Sequence, residues 1–108
     1  MKYTIDKTDA FDEWLRRLSD RHAKIVIATR LDRVATGNLG DYKMFDGLIE
    51  LRIFYGPGYR LYGAVRDGAI VVLFVGGDKG SQTRDIATAK KMLQERILQE
   101  AKDEDKPV

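Results

Sequence analysis

The sequence predicts an α+β domain in which an N-terminal strand and a two-helix hairpin pack on an antiparallel β-meander, with a C-terminal helix to follow. Three observations carry that reading. Apolar residues recur at helical spacing in two successive stretches before Gly37 and in one after Ser81. Between them, β-branched and aromatic runs are separated by Gly56-Pro57-Gly58 and by Asp67-Gly68. No repeat, low-complexity tract or interdomain linker interrupts the 108 residues, a length that one domain with a real core accounts for.

Taken in order, residues Lys2 to Ile5 read as a short strand, and Asp9 as the N-cap of a first helix. Phe11, Trp14, Leu15 and Leu18 recur at i, i+3, i+4 and i+7, which makes one apolar stripe. Ser19 or Asp20 caps a second helix striped by Ala23, Ile27, Leu31, Val34 and Ala35, and Gly37, Asn38 and Gly40 stop it. Residues Tyr42 to Phe45 form a weak strand before the Asp46-Gly47 turn. The strong strands are expected from Leu48 to Tyr55, Tyr59 to Arg66 and Ile70 to Val75, with Asp67-Gly68 as a two-residue hairpin. Ser81 or Thr83 opens the last helix, whose stripe is Ile86, Ala89, Leu93 and Ile97. The domain thus spans residues 1–101, residues 102–108 are a charged, frayed tail, and all helices are expected on one face of the sheet.

Composition narrows the chemistry. Cysteine is absent, which excludes thiol catalysis, disulfides and cysteine-ligated zinc and fits a reducing cytoplasm. The N-terminus carries charges where a signal peptide needs an apolar run, and no segment approaches membrane-spanning length, so a soluble cytoplasmic protein with no membrane partner is expected. No metal-ligand spacing and no Ser/His/Asp set is present, and neither metal nor cofactor is expected. Gly76-Gly77-Asp78-Lys79-Gly80-Ser81 precedes a helix as phosphate-cradling loops do, yet it lacks the Walker spacing. His22, the lone histidine, reads as a surface or capping residue.

Net charge is only +2, but it is unevenly spread. Between Trp14 and Gly37 lie Arg16, Arg17, Arg21, Lys24, Arg30 and Arg33 against Asp20 and Asp32. Either this hairpin is an ordinary solvated surface or it faces a polyanion or an acidic partner.

Strand alternation decides which side chains converge. Opposing Tyr55 with Tyr59 places Arg52 opposite Tyr62 and Phe54 opposite Arg60, all on one face, with Leu51, Ile53, Leu61, Gly63 and Val65 on the core face. Pairing Arg66 with Ala69 adds Ile70, Val72 and Phe74 to the core. It leaves Val71, Leu73 and Val75 beside Arg60 and Tyr62, and Lys79 exits on the arginine side. Clustered arginines, whose rigid forks suit phosphate, make this a candidate polyanion site. Its apolar strip suits either an acidic amphipathic helix from a partner or the chain's own C-terminal helix. Glu50, the one acid of matching parity, offers the competing arrangement of an internal ion pair with Arg52. Tyr55 and Tyr59 either stack on bases or flank the turn.

Nearly the whole chain carries a recognisable set of motifs: Phe-x-x-Trp-Leu in the first helix, Gly-Asn after the second, Gly-x-x-Glu-Leu-Arg, Gly-Pro-Gly-Tyr-Arg-x-Tyr, a strand ending in Gly-Gly-Asp-Lys, and Gln-x-x-Asp-Ile-x-x-Ala. Together they resemble the RelE/ParE superfamily of bacterial toxins, in particular the addiction-module killer, or HigB-like, branch. The resemblance implies a RelE-like fold and the toxin of a type II toxin–antitoxin pair, commonly a ribosome-dependent mRNA endonuclease that inhibits translation and growth. A small helix-turn-helix antitoxin is the implied partner. Arg52 and Arg60 match the cationic strand positions of the RNA-cleaving members. The implied chemistry is metal-free: Arg60 stabilises transition-state charge, Arg52 positions the phosphate, Lys79 adds a supporting cation, and Asp78 or Tyr62 handles a proton. Arg16, Arg17, Arg21 and Lys24 would meet ribosomal RNA, and Tyr55 and Tyr59 the message. Asp78-Lys79 stands where several relatives place a histidine or arginine, which leaves the acid and base open. The same superfamily contains ParE-like inhibitors of DNA gyrase, and an inactive partner-binding member is a third possibility.

Overall fold

Residues 1–104 are described by a computed structural model, in which one mixed sheet separates two helical layers. The elements are β1 (Thr4–Lys7), α1 (Asp9–Arg17), α2 (Arg21–Ala35), β2 (Tyr42–Phe45), β3 (Leu48–Ile53), β4 (Tyr59–Arg66), β5 (Ile70–Gly77), a 3-10 turn (Lys79–Ser81) and α3 (Gln82–Glu104). Strand order is β1-β5-β4-β3-β2. The meander is antiparallel, whereas β1 runs parallel to β5 from Thr4 beside Ile70 to Lys7 beside Leu73. No helix among the described residues is long and apolar enough to cross a membrane.

Local chemistry explains the element ends. Thr8, not Asp9, caps α1: its hydroxyl accepts from the Phe11 N–H at 3.1 Å and donates to the Phe74 carbonyl at 2.7 Å, so one side chain starts the helix and ties it to β5. Of the two expected caps of α2, Ser19 and Asp20, it is Asp20 that serves, accepting from the His22 and Ala23 N–H groups at 2.9 and 3.1 Å. The last helix is entered through Asp78 rather than Ser81 or Thr83. The Asp78 carboxylate and the Ser81 hydroxyl form a reciprocal capping box around the 3-10 turn. α3 then continues to Glu104, three residues past the expected end at Ala101, and the rest of the expected tail lies outside the described residues.

Helices cover both faces of the sheet, not one. Phe11, Ala23, Ile27, Leu31 and Val34 of α1 and α2 pack with Ile49, Leu51, Ile53, Leu61, Val71 and Leu73, and Trp14, Leu15 and Leu18 lean on the same cluster. On the opposite face, Ala89 and Leu93 of α3 pack with Leu48, Tyr62, Ala64, Val72 and Phe74. Ile97, the end of the expected stripe, remains 44% exposed.

The register differs from expectation at both hairpins, with unequal consequences. Across Gly56-Pro57-Gly58, Ile53 faces Tyr59, Arg52 faces Arg60 and Glu50 faces Tyr62. That is a slip of two, which leaves every side chain on its expected face. Across the next turn Arg66 faces Ile70, because the loop holds Asp67, Gly68 and Ala69, with Asp67 at φ 52° and Gly68 at φ 70°. This slip of one inverts the start of β5. Val71 and Leu73 join the α1/α2 core, and Ile70, Val72 and Phe74 turn to the arginine side. A bulge between Tyr62 and Gly63 then resets the count, so Val75 lies beside Tyr62. The apolar strip of Val71, Leu73 and Val75 on the arginine face therefore does not form, and α3 covers the residues that replace it.

Gly63 sits where β5 crowds the bulge. A Cβ built there falls 2.1 Å from the Val72 carbonyl oxygen, a backbone atom fixed in the sheet. Gly63→Ala should cost about 3 kcal/mol, at the upper end of overpacking penalties, as read by urea denaturation. A loss under about 1 kcal/mol would show that the bulge yields.

Candidate functional site

The arginine face is organised by a buried carboxylate. Glu50 of β3 is 2% exposed. Its Oε1 lies 3.5 Å from Arg60 Nη1 and 4.0 Å from Arg52 Nε, and its Oε2 accepts from the Gln82 side chain at 3.4 Å. Arg52 Nη2 donates to Asp41 Oδ1 at 2.9 Å. Asp41 is itself held in place by Arg30, whose guanidinium donates to the carbonyls of Leu39, Asp41 and Arg52. The two arginines of the face thus have internal counter-ions, and their free donor capacity is smaller than the sequence implies. Arg52 Nε, Arg60 Nε, Asp41 Oδ2 and the Tyr62 hydroxyl are buried there without a hydrogen bond among the described residues.

The far end of this face, past the N-terminus of α3, stays open. A cleft of about 410 Å³ is lined by Phe54, Tyr55, Gly56, Pro57, Gly58, Arg60 and Lys79. The tight turn and the exit of β5 meet there, since a Cβ on Gly58 would sit 3.8 Å from Lys79 Cβ. Lys79 is exposed and makes no ion pair among the described residues. On the other side of Phe54 lies a groove of about 430 Å³ bordered by His22, Ile25, Arg30, Arg33, Arg52 and Phe54, among others. Phe54 itself is 87% exposed.

Of the residues singled out by sequence, Arg60 and Lys79 converge on the cleft with Tyr55 beside them, and Arg52 borders the adjoining groove. Others are placed elsewhere. Tyr62 is fully buried beneath α3. Burial, and then the Glu50 carboxylate, push its hydroxyl well above the usual tyrosine range, so it holds its proton. The Asp78 carboxylate is committed to the Gly80 and Ser81 N–H groups. Tyr59 is buried against Trp14, edge-on at 6.1 Å. Tyr55 is only half-available for stacking: its hydroxyl donates to Asp20 Oδ2 at 3.0 Å and His22 lies edge-on against its ring at 5.1 Å. Burial, then that hydrogen bond, raise the Tyr55 hydroxyl.

The basic helical hairpin is also partly spoken for. Arg16 and Arg17 share Glu13, each at 2.7 Å, an acid one residue outside the counted window. Lys24 Nζ donates to the Arg16 carbonyl at 2.8 Å. Arg30 is structural. Arg21 and Arg33 are exposed and make no ion pair among the described residues.

Sequence reasoning missed Phe54 at this surface, and it offered Glu50 as a partner of Arg52 alone, whereas the carboxylate lies nearer to Arg60 and is shared by both. The available signals were a large apolar side chain placed immediately before the turn and an acid of arginine-face parity. The Gly76-Gly77 pair is explained by close approach from both sides: a Cβ would strike the Trp14 ring at 2.3 Å from Gly76 and Asp85 Oδ2 at 1.8 Å from Gly77.

No family model matches the chain. It is 45% identical over 96 residues to an uncharacterized protein of Haemophilus influenzae, an alignment covering 88% of this chain and 97% of that one, and the chain belongs to the same family as that protein. Among solved structures it is similar to the Escherichia coli toxin RelE, a double arginine-to-alanine mutant in the free state, with TM-score 0.68 at 17% identity over 85% of this chain and 97% of that one. It is likewise similar to a chain of the intact E. coli RelBE toxin–antitoxin complex (TM-score 0.57, 18% identity, 70% and 95% covered). A chain of the RelBE2 toxin–antitoxin complex of Mycobacterium tuberculosis gives TM-score 0.55 at 20% identity, with 73% and 100% covered. The architecture is thus the RelE fold.

Removing Glu50 tests its place in this network. Glu50→Ala should leave Arg60, whose side chain is 17% exposed, with a desolvated charge, at a cost of about 3 kcal/mol in chemical denaturation. A loss under about 1 kcal/mol would mean that the pair is effectively solvated.

Proposed function

We propose that this protein is the toxin of a type II toxin–antitoxin pair, of the HigB-like branch, and cleaves mRNA on the ribosome in the cytoplasm without a metal. The observation that carries this is the convergence of Arg60 and Lys79 on an open cleft of a RelE-fold domain. In the reaction the ribose 2′-oxygen attacks the adjacent phosphorus as the bond to the 5′-oxygen breaks. The 2′-proton leaves and the 5′-oxygen gains one, giving a 2′,3′-cyclic phosphate and a 5′-hydroxyl. Arg60 and Lys79 are suited to offset the charge that develops on the phosphoryl oxygens, and Arg52 to hold the chain one step away. Asp78 and Tyr62 are not free to move a proton, so orientation and charge stabilisation carry the rate. The partner is a small helix-turn-helix antitoxin, a reading supported by the likeness to the RelBE complexes. Because α3 occupies the sheet face, that antitoxin has to act at the cleft from outside or at another surface.

A second reading is a ParE-like inhibitor of DNA gyrase on the same fold. Its support is the neutralisation of Arg52 by Asp41 and of Arg60 by Glu50, which weakens the case for a phosphate site. Pulse labelling after brief induction separates the two. Arrest of protein synthesis is expected, and arrest of DNA synthesis with an SOS response would reject the nuclease. Arg60→Gln should lower cleavage about 100- to 1,000-fold and relieve growth arrest; because it leaves the buried Glu50 carboxylate without its nearest cation, it should also cost about 3 kcal/mol of stability, so toxicity is compared at equal soluble expression. Full toxicity at equal soluble expression would remove Arg60 from the mechanism.

Ribosome engagement by the helical hairpin rests chiefly on Arg21, exposed and without an ion pair among the described residues, with Arg17 nearby in sequence. Arg17→Glu combined with Arg21→Glu should reduce cosedimentation with ribosomes at low salt. Unchanged cosedimentation would mark this charge as a solvated surface.

A further inference from the structure

Phe54 is the most exposed large apolar side chain in the meander, at 87%. Nothing in the fold uses it: no aromatic ring among the described residues contacts it, and it belongs to neither core cluster. An aromatic ring left in water forgoes about 1.5 to 3 kcal/mol of burial. The ring stands on the wall between the two concavities of this surface. Arg60 and Lys79 lie on one side; on the other lie Arg33, which makes no ion pair among the described residues, and Arg52 together with its partner Asp41. A flat apolar surface with cations on both flanks matches one unstacked nucleotide, whose base covers the ring while its 5′ and 3′ phosphates reach the charges. Tyr55 and Tyr59, the rings expected in that role, are engaged by Asp20 and Trp14 respectively.

We infer that Phe54 is the stacking platform for the base next to the phosphate held by Arg60 and Lys79, and that it helps determine which single-stranded RNA segment is taken. The inference rests on the nuclease reading for its substrate. A protein segment docking on the same ring is the competing occupant. It would bury Phe54 as hydrophobic area, which leucine also supplies, whereas stacking needs a π face.

The experiment uses the intact chain and a fluorescein-labelled 2′-O-methyl RNA hexamer of mixed sequence, which cannot be cleaved, with fluorescence anisotropy at about 50 mM salt. Phe54→Ala should weaken binding about 5- to 150-fold, the range for loss of one base–aromatic stack. Phe54→Trp should restore it and Phe54→Leu should not. Equal binding by Phe54→Ala, restoration by Phe54→Leu, or no saturable binding by the unsubstituted protein each overturns the inference. Pulse labelling of the same strains separates it from the nuclease reading. Arrested translation with an unaffected Phe54→Ala complex rejects Phe54 alone, and Phe54-dependent RNA binding without arrest of translation rejects the nuclease reading.

Discussion

Val71, Val72, Leu73 and Phe74 are consecutive in β5 and all buried, so this strand needs apolar cover on both sides. The rest of the architecture follows from meeting that need. The α1–α2 hairpin covers one face and α3 the other, and the two core clusters divide the side chains of β3, β4 and β5 between them. The three-residue turn at Asp67, Gly68 and Ala69 and the bulge at Tyr62 and Gly63 decide which residue of β5 meets which layer. Because the turn sets parity, the surroundings of Tyr62 and Arg60 depend on backbone angles at Asp67 and Gly68 rather than on any contact between the arginines.

Covering both faces creates an electrostatic problem. Glu50 and Arg60 lie on the face that α3 covers, and charges taken out of water are costly unless they find each other. The solution is a chain of partners: Gln82 and Arg60 on Glu50, Arg52 between Glu50 and Asp41, and Arg30 bracing the loop that holds Asp41. This network fixes the arginines in place, but it also spends part of their charge internally. The open cleft at the β3–β4 turn is where cationic character still faces solvent, through Lys79 and one side of Arg60.

Internal pairing likewise reduces the charge that the basic helical hairpin presents to solvent. Six cations against two acids looks like a polyanion surface when counted over a window of sequence. In three dimensions Glu13 joins the account, Arg30 turns inward to carbonyl groups, and Lys24 closes onto α1. Among the described residues Arg21 and Arg33 are left without an ion pair, and Arg33 borders the groove next to Phe54.

Sequence by itself determined the element order, the start of α2 to within Ser19 or Asp20, and the apolar stripes of α1 and α2, because these depend on spacing within a few residues. It also placed Arg52 and Arg60 on one face and brought Lys79 near them, since a register error of two preserves side-chain direction. Only the tertiary structure decided the faces of β5, where a single extra turn residue reversed Val71 through Phe74, and the position of α3, which depends on which face still has apolar area to bury. It likewise decided that Glu50 neutralises the arginines, that Tyr62 is buried and Phe54 bare, and that β1 is parallel to β5. Each of these is a long-range pairing, and its free energy comes from residues far apart in the chain that no local pattern relates.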